Sequence, residues 1–271
     1  MERPLSCQSH KDQTRPTICV GVLTLNEAHR IERCLRSAAF ADQLIVVDSG
    51  STDDTCSIAQ RCGAEVYIYS QWEGFATQRN RLLTHVKTDY IFFLDADEVI
   101  TPKLKEEILS VISSRPQGAW RVSWEQVAFG RPLSRMSSGG AVTRLFKTDL
   151  IERFDGVVHE GAILRQPIKP QTLQARLPHY SRETVYDSLN KLAQYVQLGA
   201  QKRHAQGKKG GLIRGSLSAL GNFIRLYFIR RGFLCGAEGF LFCYLIAQEC
   251  FFRYAAMKYD HTILDTPAKR K

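Results

Sequence analysis

In the first hundred positions apolar residues come in short continuous runs, and each run stops at a polar or acidic residue. Thr17-Ile18-Cys19-Val20-Gly21-Val22-Leu23-Thr24 is β-prone throughout and gives way to Asn26-Glu27. Gln43-Leu44-Ile45-Val46-Val47 stops at Asp48, and Tyr90-Ile91-Phe92-Phe93-Leu94 stops at Asp95-Ala96-Asp97-Glu98. Runs of this length without alternation predict strands buried on both faces. Between them the apolar period becomes helical, with Ile31, Leu35, Ala38 and Ala39 on one face of residues 28–39. A second helix is predicted to start near Thr55, behind the turn-forming Ser49-Gly50-Ser51-Thr52-Asp53-Asp54, and a third over residues 75–86. A short strand over residues 64–69 follows Gly63. Strands alternating with helices predict an α/β fold with a mostly parallel sheet, whose ligands bind beyond the carboxyl ends of the strands.

Three polar sites fall at such strand ends: Thr24 to Glu27, Asp48, and Asp95 to Asp97. An Asp-x-Asp alone is common in solvated turns, but three strand-end sites in succession predict one crevice. Hard divalent cations are often held by one or two carboxylates while substrate phosphates complete the shell. A metal-diphosphate site is therefore expected. The chain contains no Gly-x-x-x-x-Gly-Lys-[Ser/Thr] loop, and no Gly-x-Gly-x-x-Gly follows the first run. That pattern disfavours Walker-type nucleotide hydrolysis and dinucleotide redox chemistry. The missing glycine-rich triphosphate loop also disfavours a nucleotidyltransferase.

Composition adds a size and a charge asymmetry. With 271 residues and 44% hydrophobic content, the chain has enough apolar surface for one large domain, or a domain with an appendage. Residues 1–16 are polar and read as a tail and not as a signal peptide. Eight cysteines without a Cys-x-x-Cys pair read as reduced thiols of a cytoplasmic protein. The net charge is +10, yet residues 1–160 carry 19 basic and 21 acidic side chains while residues 161–271 carry 18 and 6. The basic excess is interleaved with aromatics, which suits a phosphate-rich polymer or an anionic membrane surface. Nucleic-acid binding would leave the strand-end acids unexplained, so no nucleic-acid partner is expected.

The basic portion divides into a helix-like stretch at 183–206, a Gly-Lys segment at 206–211 that reads as a flexible hinge, and an aromatic-rich region from 212 to 258. Residues 233–252 have the length of a membrane span, but Glu238, Gln248 and Glu249 interrupt them. Charge inside a span is expensive, so interfacial packing is predicted over crossing. Arg225, Arg230 and Arg231 beside Phe223, Tyr227 and Phe228 fit a helix lying on an anionic leaflet.

Val22-Leu23-Thr24-Leu25-Asn26-Glu27, Val46-Val47-Asp48-Ser49-Gly50-Ser51-Thr52-Asp53, Gln78-Arg79-Asn80 and Leu94-Asp95-Ala96-Asp97-Glu98 together resemble family-two glycosyltransferases in order and spacing. Thr143-Arg144-Leu145-Phe146, Gly156-Val157-Val158-His159-Glu160 and Pro178-His179-Tyr180 resemble the bacterial branch that includes the lipopolysaccharide core β-1,4-glucosyltransferases. The resemblance covers roughly residues 17–258. Two departures stand out: Cys235 in Gly232-Phe233-Leu234-Cys235-Gly236 replaces an expected acid, and the tail before Thr17 is extra.

The resemblance implies a GT-A fold, with a nucleotide-sugar-binding catalytic domain over 17–182, a helical segment over 183–258 and tails at 1–16 and 259–271. It implies inverting transfer of a hexose, with glucose from UDP-glucose the leading donor. The acceptor it implies is a lipid-linked saccharide such as a lipopolysaccharide core heptose, or another cell-envelope polysaccharide or glycolipid. Thr24, Leu25, Asn26, Glu27, Asp48, Arg79 and Asp95 are the implied donor-binding residues, with Asp48 accepting an imide proton from uracil. Asp97 is the implied direct ligand of Mg2+ or Mn2+, with His179 a candidate further ligand. Glu160 is the candidate general base, Asp155 a weaker rival, and His159 and Arg144 are candidate supports. The implied place of work is the cytoplasm, peripheral on the inner face of the cytoplasmic membrane.

Overall fold

The structure is a computed structural model and describes residues 15–114, 116–137, 139–156 and 161–260. The chain forms two compact units that alternate along the sequence. Of the described residues, the first holds 15–96, 102–114, 116–120, 143–156 and 161–171, and the second 97–101, 121–137, 139–142 and 172–260.

The first unit is built on β1 (Ile18–Thr24), β2 (Gln43–Asp48), β3 (Glu65–Ile68) and β4 (Tyr90–Asp95), with β7 (Ala141–Lys147) beside β4. The order is β7-β4-β1-β2-β3, all parallel except β7, which runs antiparallel to β4. The predicted α/β fold with a mostly parallel sheet is what the chain adopts. β1 and β4 are central, which explains why their sequences are apolar without alternation.

Helices α1 (Ile31–Ser37), α2 (Thr55–Arg61), α3 (Phe75–Leu83) and α4 (Pro102–Ser113) complete the unit. α4 opens on Pro102, where a missing N–H is harmless, and buries Leu104, Ile108 and Ile112 at helical spacing. Each such side chain contributes roughly 1.5–3 kcal/mol. α3 lies so close to β1 that a Cβ on Gly21 would come within 2.6 Å of Leu82 Cδ2. Leu82 joins Cys19, Ile45, Ile91, Phe93 and Phe146 in one core cluster. A separate hairpin, β8 (Ile151–Asp155) and β9 (Gly161–Leu164), adds Phe154 to that cluster.

The second unit holds most of β5 (Ala119–Ala128), with β6 (Arg131–Pro132) and β10 (Gln171–Arg182) as its partners. α5 (Val185–Ala205), α6 (Leu212–Ile224) and α7 (Gly236–Tyr259) follow. Thr184 caps α5 by accepting from Asp187 N at 3.0 Å, and Lys202, Arg203 and His204 occupy its negative end. The expected hinge at 206–211 is instead a packed turn. Gly211 N donates to Tyr254 O at 2.9 Å, and a Cβ on Gly210 would meet the Met257–Lys258 backbone at 2.8 Å. Between α6 and α7 the chain makes a π-helical turn at Arg225–Ile229 and a 3-10 turn at Gly232–Cys235.

Candidate active site

In the first unit the ends of β4, β1 and β2 are in register: Leu23 pairs with Asp95 and Thr24 with Asp48. The strand ends at Thr24, Asp48 and Asp95 are therefore neighbours in the sheet. Asp48 is fully buried. Its Oδ1 accepts from Gly50 N at 2.8 Å and Ser51 N at 2.7 Å, and its Oδ2 from Thr24 Oγ1 at 2.8 Å and Ser51 Oγ at 2.5 Å. Both Asp48 oxygens are thus engaged by the loop that follows β2, and Oδ2 by Thr24 as well. Burial, with Asp48 nearby, pushes the Cys56 thiol up to about 11, so it stays protonated.

The residues after β1 are fastened to the same loop. Asn26 takes a left-handed conformation with φ 56°, donates its N–H to Ser51 Oγ at 2.8 Å and accepts from Thr52 N at 2.9 Å. Glu27 N donates to Thr55 Oγ1 at 2.7 Å, and the Glu27 carboxylate pairs with Arg30 Nε at 3.1 Å. Ala28 N donates to Asp53 Oδ2 at 3.1 Å. Burial works against the charge on Asp53, but hydrogen bonds from Thr55 and Ala28 outweigh it and hold the carboxyl below its ordinary range. Of the four expected residues Asn26 is exposed, Leu25 and Glu27 are half-buried, and Thr24 is buried.

Asp95, at the end of β4, meets two buried arginines. Arg144 of β7 grips both carboxylate oxygens, with Nη1 at 3.2 Å from Oδ1, and Arg79 of α3 reaches Oδ1 at 3.5 Å. The Arg79 guanidinium also lies 5.1 Å over Phe93 and 5.6 Å over Phe154. Its neighbours in sequence brace the same helix. Gln78 donates to Ser49 Oγ at 3.0 Å and Tyr69 O at 3.1 Å, while Asn80 exchanges hydrogen bonds with the Phe154 backbone. The Asp95 side chain remains 40% exposed between its two cations.

In the second unit residues 97–99 pair with β10: Tyr180 N donates to Asp97 O at 2.8 Å and Val99 N to Pro178 O at 3.1 Å. This register sets Asp97 Oδ2 3.4 Å from His179 Nε2. Lys191 Nζ from α5 is 3.5 Å from the same oxygen and donates to Ser181 O at 2.9 Å. The His179 ring stands 5.3 Å from Trp124, and its Nδ1 is 3.4 Å from Gln126 Nε2. Glu98 is fully buried and accepts from Trp124 Nε1 at 2.6 Å, which makes it a support of this wall.

Among the described residues no group of three or more His, Cys, Asp and Glu side chains gathers as metal ligands. The Asp97–His179 pair still fits a divalent ion. An oxygen and a nitrogen at this separation match two adjacent ligand positions, and Mg2+ in particular keeps few protein ligands when phosphates complete its shell. Asp97 and His179 line a cavity of about 480 Å³ within this unit, together with Trp124, Gln126 and Lys191.

His159 and Glu160 lie outside the described residues. Sequence reasoning missed Lys191, Trp124 and Gln126, which carry no motif of their own. Arg225 and Arg230, expected on a membrane face, also line the cavity.

Residues 19–168 match the family model described as Glycosyl transferase family 2. An uncharacterized glycosyltransferase of Rickettsia bellii (strain RML369-C) is 29% identical over 271 residues, covering 93% of this chain and 90% of the relative. The lipopolysaccharide core biosynthesis glycosyltransferase LpsC of Rhizobium meliloti (strain 1021) is 25% identical over 252 residues, covering 86% of this chain and 92% of the relative. Among solved structures, glucosyl-3-phosphoglycerate synthase from Mycobacterium tuberculosis, in complex with Mn2+, UDP and glucosyl-3-phosphoglycerate, is similar with 24% identity and a TM-score of 0.39. That similarity covers 50% of this chain and 58% of the synthase.

Proposed function

Because the chain belongs to glycosyl transferase family 2, we propose that it is an inverting, metal-dependent hexosyltransferase that moves glucose from UDP-glucose to a lipid-linked, phosphate-bearing saccharide of the lipopolysaccharide inner core. The observation that carries the nucleotide-sugar reading is the register of β4, β1 and β2, which aligns Asp95, Thr24 and Asp48 at one strand edge. Asp48 acts through the loop it shapes, and Asp95 is the ribose-side partner. Asp97 and His179 hold Mg2+ or Mn2+, which when bound neutralises charge on the leaving diphosphate. The core-saccharide reading is supported by the relative LpsC, whose name describes lipopolysaccharide core biosynthesis.

In a single displacement the acceptor hydroxyl oxygen bonds to the anomeric carbon as the bond to the diphosphate breaks, and a base takes the hydroxyl proton. Glu160 is proposed for that task, with His159 as its proposed support and Asp155 as the rival base. General-base catalysis contributes roughly 10²–10⁴ in rate.

The reading includes peripheral contact with the inner face of the cytoplasmic membrane. α6 and the turn after it expose Ile213 (78%), Leu217 (66%), Leu220, Ile224 and Phe228, at helical spacing, with Arg214 and Arg231 also exposed. Residues Gly232–Tyr259 are long and apolar enough to span a bilayer. Their Glu249 is turned inward, 3.5 Å from Arg182 and paired with Arg253, which favours packing over crossing.

The test is turnover of UDP-glucose, UDP-galactose and UDP-N-acetylglucosamine with Mn2+ or Mg2+, with and without extracted core lipopolysaccharide. One UDP-hexose should be consumed, chelation should abolish its turnover, and Glu160→Gln should keep UDP binding while losing at least about 10² in rate. No turnover of any donor with acceptor present would overturn the proposal.

A further inference from the structure

The cavity of about 480 Å³ in the second unit has an unbalanced lining. It includes four cationic residues, Arg182, Lys191, Arg225 and Arg230, and two carboxylates, Asp97 and Glu249. Glu249 is matched to Arg182 at 3.5 Å and also to Arg253, and Asp97 is matched to Lys191 at 3.5 Å. Among the described residues no lining carboxylate remains for Arg225 and Arg230. Arg225 Nη2 donates to the neutral Asn222 Oδ1 at 2.9 Å.

An irregular turn brings these two arginines together. Residues Arg225–Ile229 are π-helical, and Arg230 N donates to Arg225 O at 2.8 Å. On an α-helix, residues five apart point about 140° away from each other. An i→i+5 turn brings the fifth residue round nearer the first, and such turns are frequent at functional sites. Arg230 is held further by Ser137, whose N–H donates to Arg230 O at 2.9 Å, and its Nη1 occupies space that a Cβ on Gly139 would approach to 2.8 Å. The rest of this wall is apolar: Leu133, Met136, Leu226 and Phe242 belong to one buried cluster and line the cavity.

We propose that this cavity is the acceptor subsite and takes a phosphate-bearing amphiphile, its phosphate held by Arg225 and Arg230 and its apolar part by Leu133, Met136, Leu226 and Phe242. Only the word acceptor rests on the transferase reading. Guanidinium groups present forked N–H donors that match phosphate oxygens, and the apolar wall favours a ligand with hydrocarbon attached. A saccharide carried on that phosphate would share the cavity that Asp97 and His179 line.

The probe is dodecyl phosphate, titrated below its micelle concentration into the full-length protein by calorimetry, with inorganic phosphate and dodecyl maltoside as comparisons. Wild type should bind dodecyl phosphate at least about tenfold more tightly than either comparison, and Arg225→Gln/Arg230→Gln should lose at least about tenfold for it. UDP affinity and thermal midpoint of the variant should be unchanged. Arg230→Gln, which alters one half-buried side chain, is measured in parallel and should lose severalfold even if the double variant does not fold. Undiminished binding by the variants overturns the proposal, as does inorganic phosphate or dodecyl maltoside binding as tightly as dodecyl phosphate. Wild type that binds dodecyl phosphate but no UDP would leave this site standing and remove the transferase reading. Wild type that binds UDP but no dodecyl phosphate would do the reverse.

Discussion

Asp48 and Asp95 end the two strands that flank β1, yet Asp48 accepts four hydrogen bonds from Thr24 and its own loop while Asp95 is gripped by Arg144 and Arg79. The difference decides what removing each carboxylate does. Asp95→Asn leaves two buried guanidinium groups facing a neutral amide. Breaking a fully buried pair costs about 3–5 kcal/mol, and the partial exposure of Asp95 reduces that to roughly 1–3 kcal/mol. For a chain of this size the thermal midpoint should fall by roughly 3–10 °C. Arg144→Met in the Asp95→Asn background should recover part of the loss, giving a double-mutant coupling of at least about 1 kcal/mol by thermal or urea denaturation. Strict additivity of the two substitutions would show that the pair contributes nothing. If Asp95 is also the ribose-side contact, the same variant loses UDP affinity by calorimetry beyond what its stability explains.

At the scale of elements, the loops after β1 and β2 behave as one piece, because Asn26, Glu27 and Ala28 are tied to Ser51, Thr52, Asp53 and Thr55. Asp53 is central to this lock, and its depressed folded pKa fixes the sign of a pH effect. A carboxyl whose pKa is lowered on folding stabilises the fold above its unfolded pKa and loses that contribution as pH falls through the folded value. Wild type should therefore melt above Asp53→Asn at pH 7, and the gap should close as pH is taken below the ordinary aspartate range. A gap that stays constant with pH would mean that the charge is irrelevant. The strands that carry these loops were legible because β1, β2 and β4 are continuous apolar runs in a parallel sheet. β5 and β10 were not, since Arg121, Ser123 and Glu125 interrupt one and Gln174 and Arg176 the other, as half-buried strands allow. Asp48 was legible as a strand-end acid, but whether such an acid turns to a ligand or to its own loop depends on the turn geometry. The pairing of residues 97–99 with β10, which brings His179 to Asp97, is a contact across some eighty residues with no local pattern. The π turn that aligns Arg225 with Arg230 likewise has no signature in propensity.

For the whole molecule, the uneven charge and the exposed apolar stripe argue for the same partner. The basic excess lies wholly after residue 160, and the Ile213, Leu217, Leu220 stripe is on α6 in that portion. An apolar helix face with arginines nearby gains twice at an anionic leaflet, once from burying side chains and once from the surface potential. The electrostatic part alone is screened by salt. The protein should therefore float with phosphatidylethanolamine vesicles containing phosphatidylglycerol and much less with phosphatidylcholine vesicles. Raising the salt should weaken flotation without abolishing it. Leu217→Ser/Leu220→Ser should reduce partitioning at least about tenfold, since each leucine contributes roughly 1.5–3 kcal/mol when fully buried and less at an interface. These side chains are exposed, so the substitutions should leave the thermal midpoint in solution almost unchanged. A second copy of the chain is the competing occupant of the stripe, and light scattering separates the two. A stable dimer that the same substitutions dissociate, with no vesicle binding by wild type, would assign the stripe to self-association and withdraw the membrane from the proposed function.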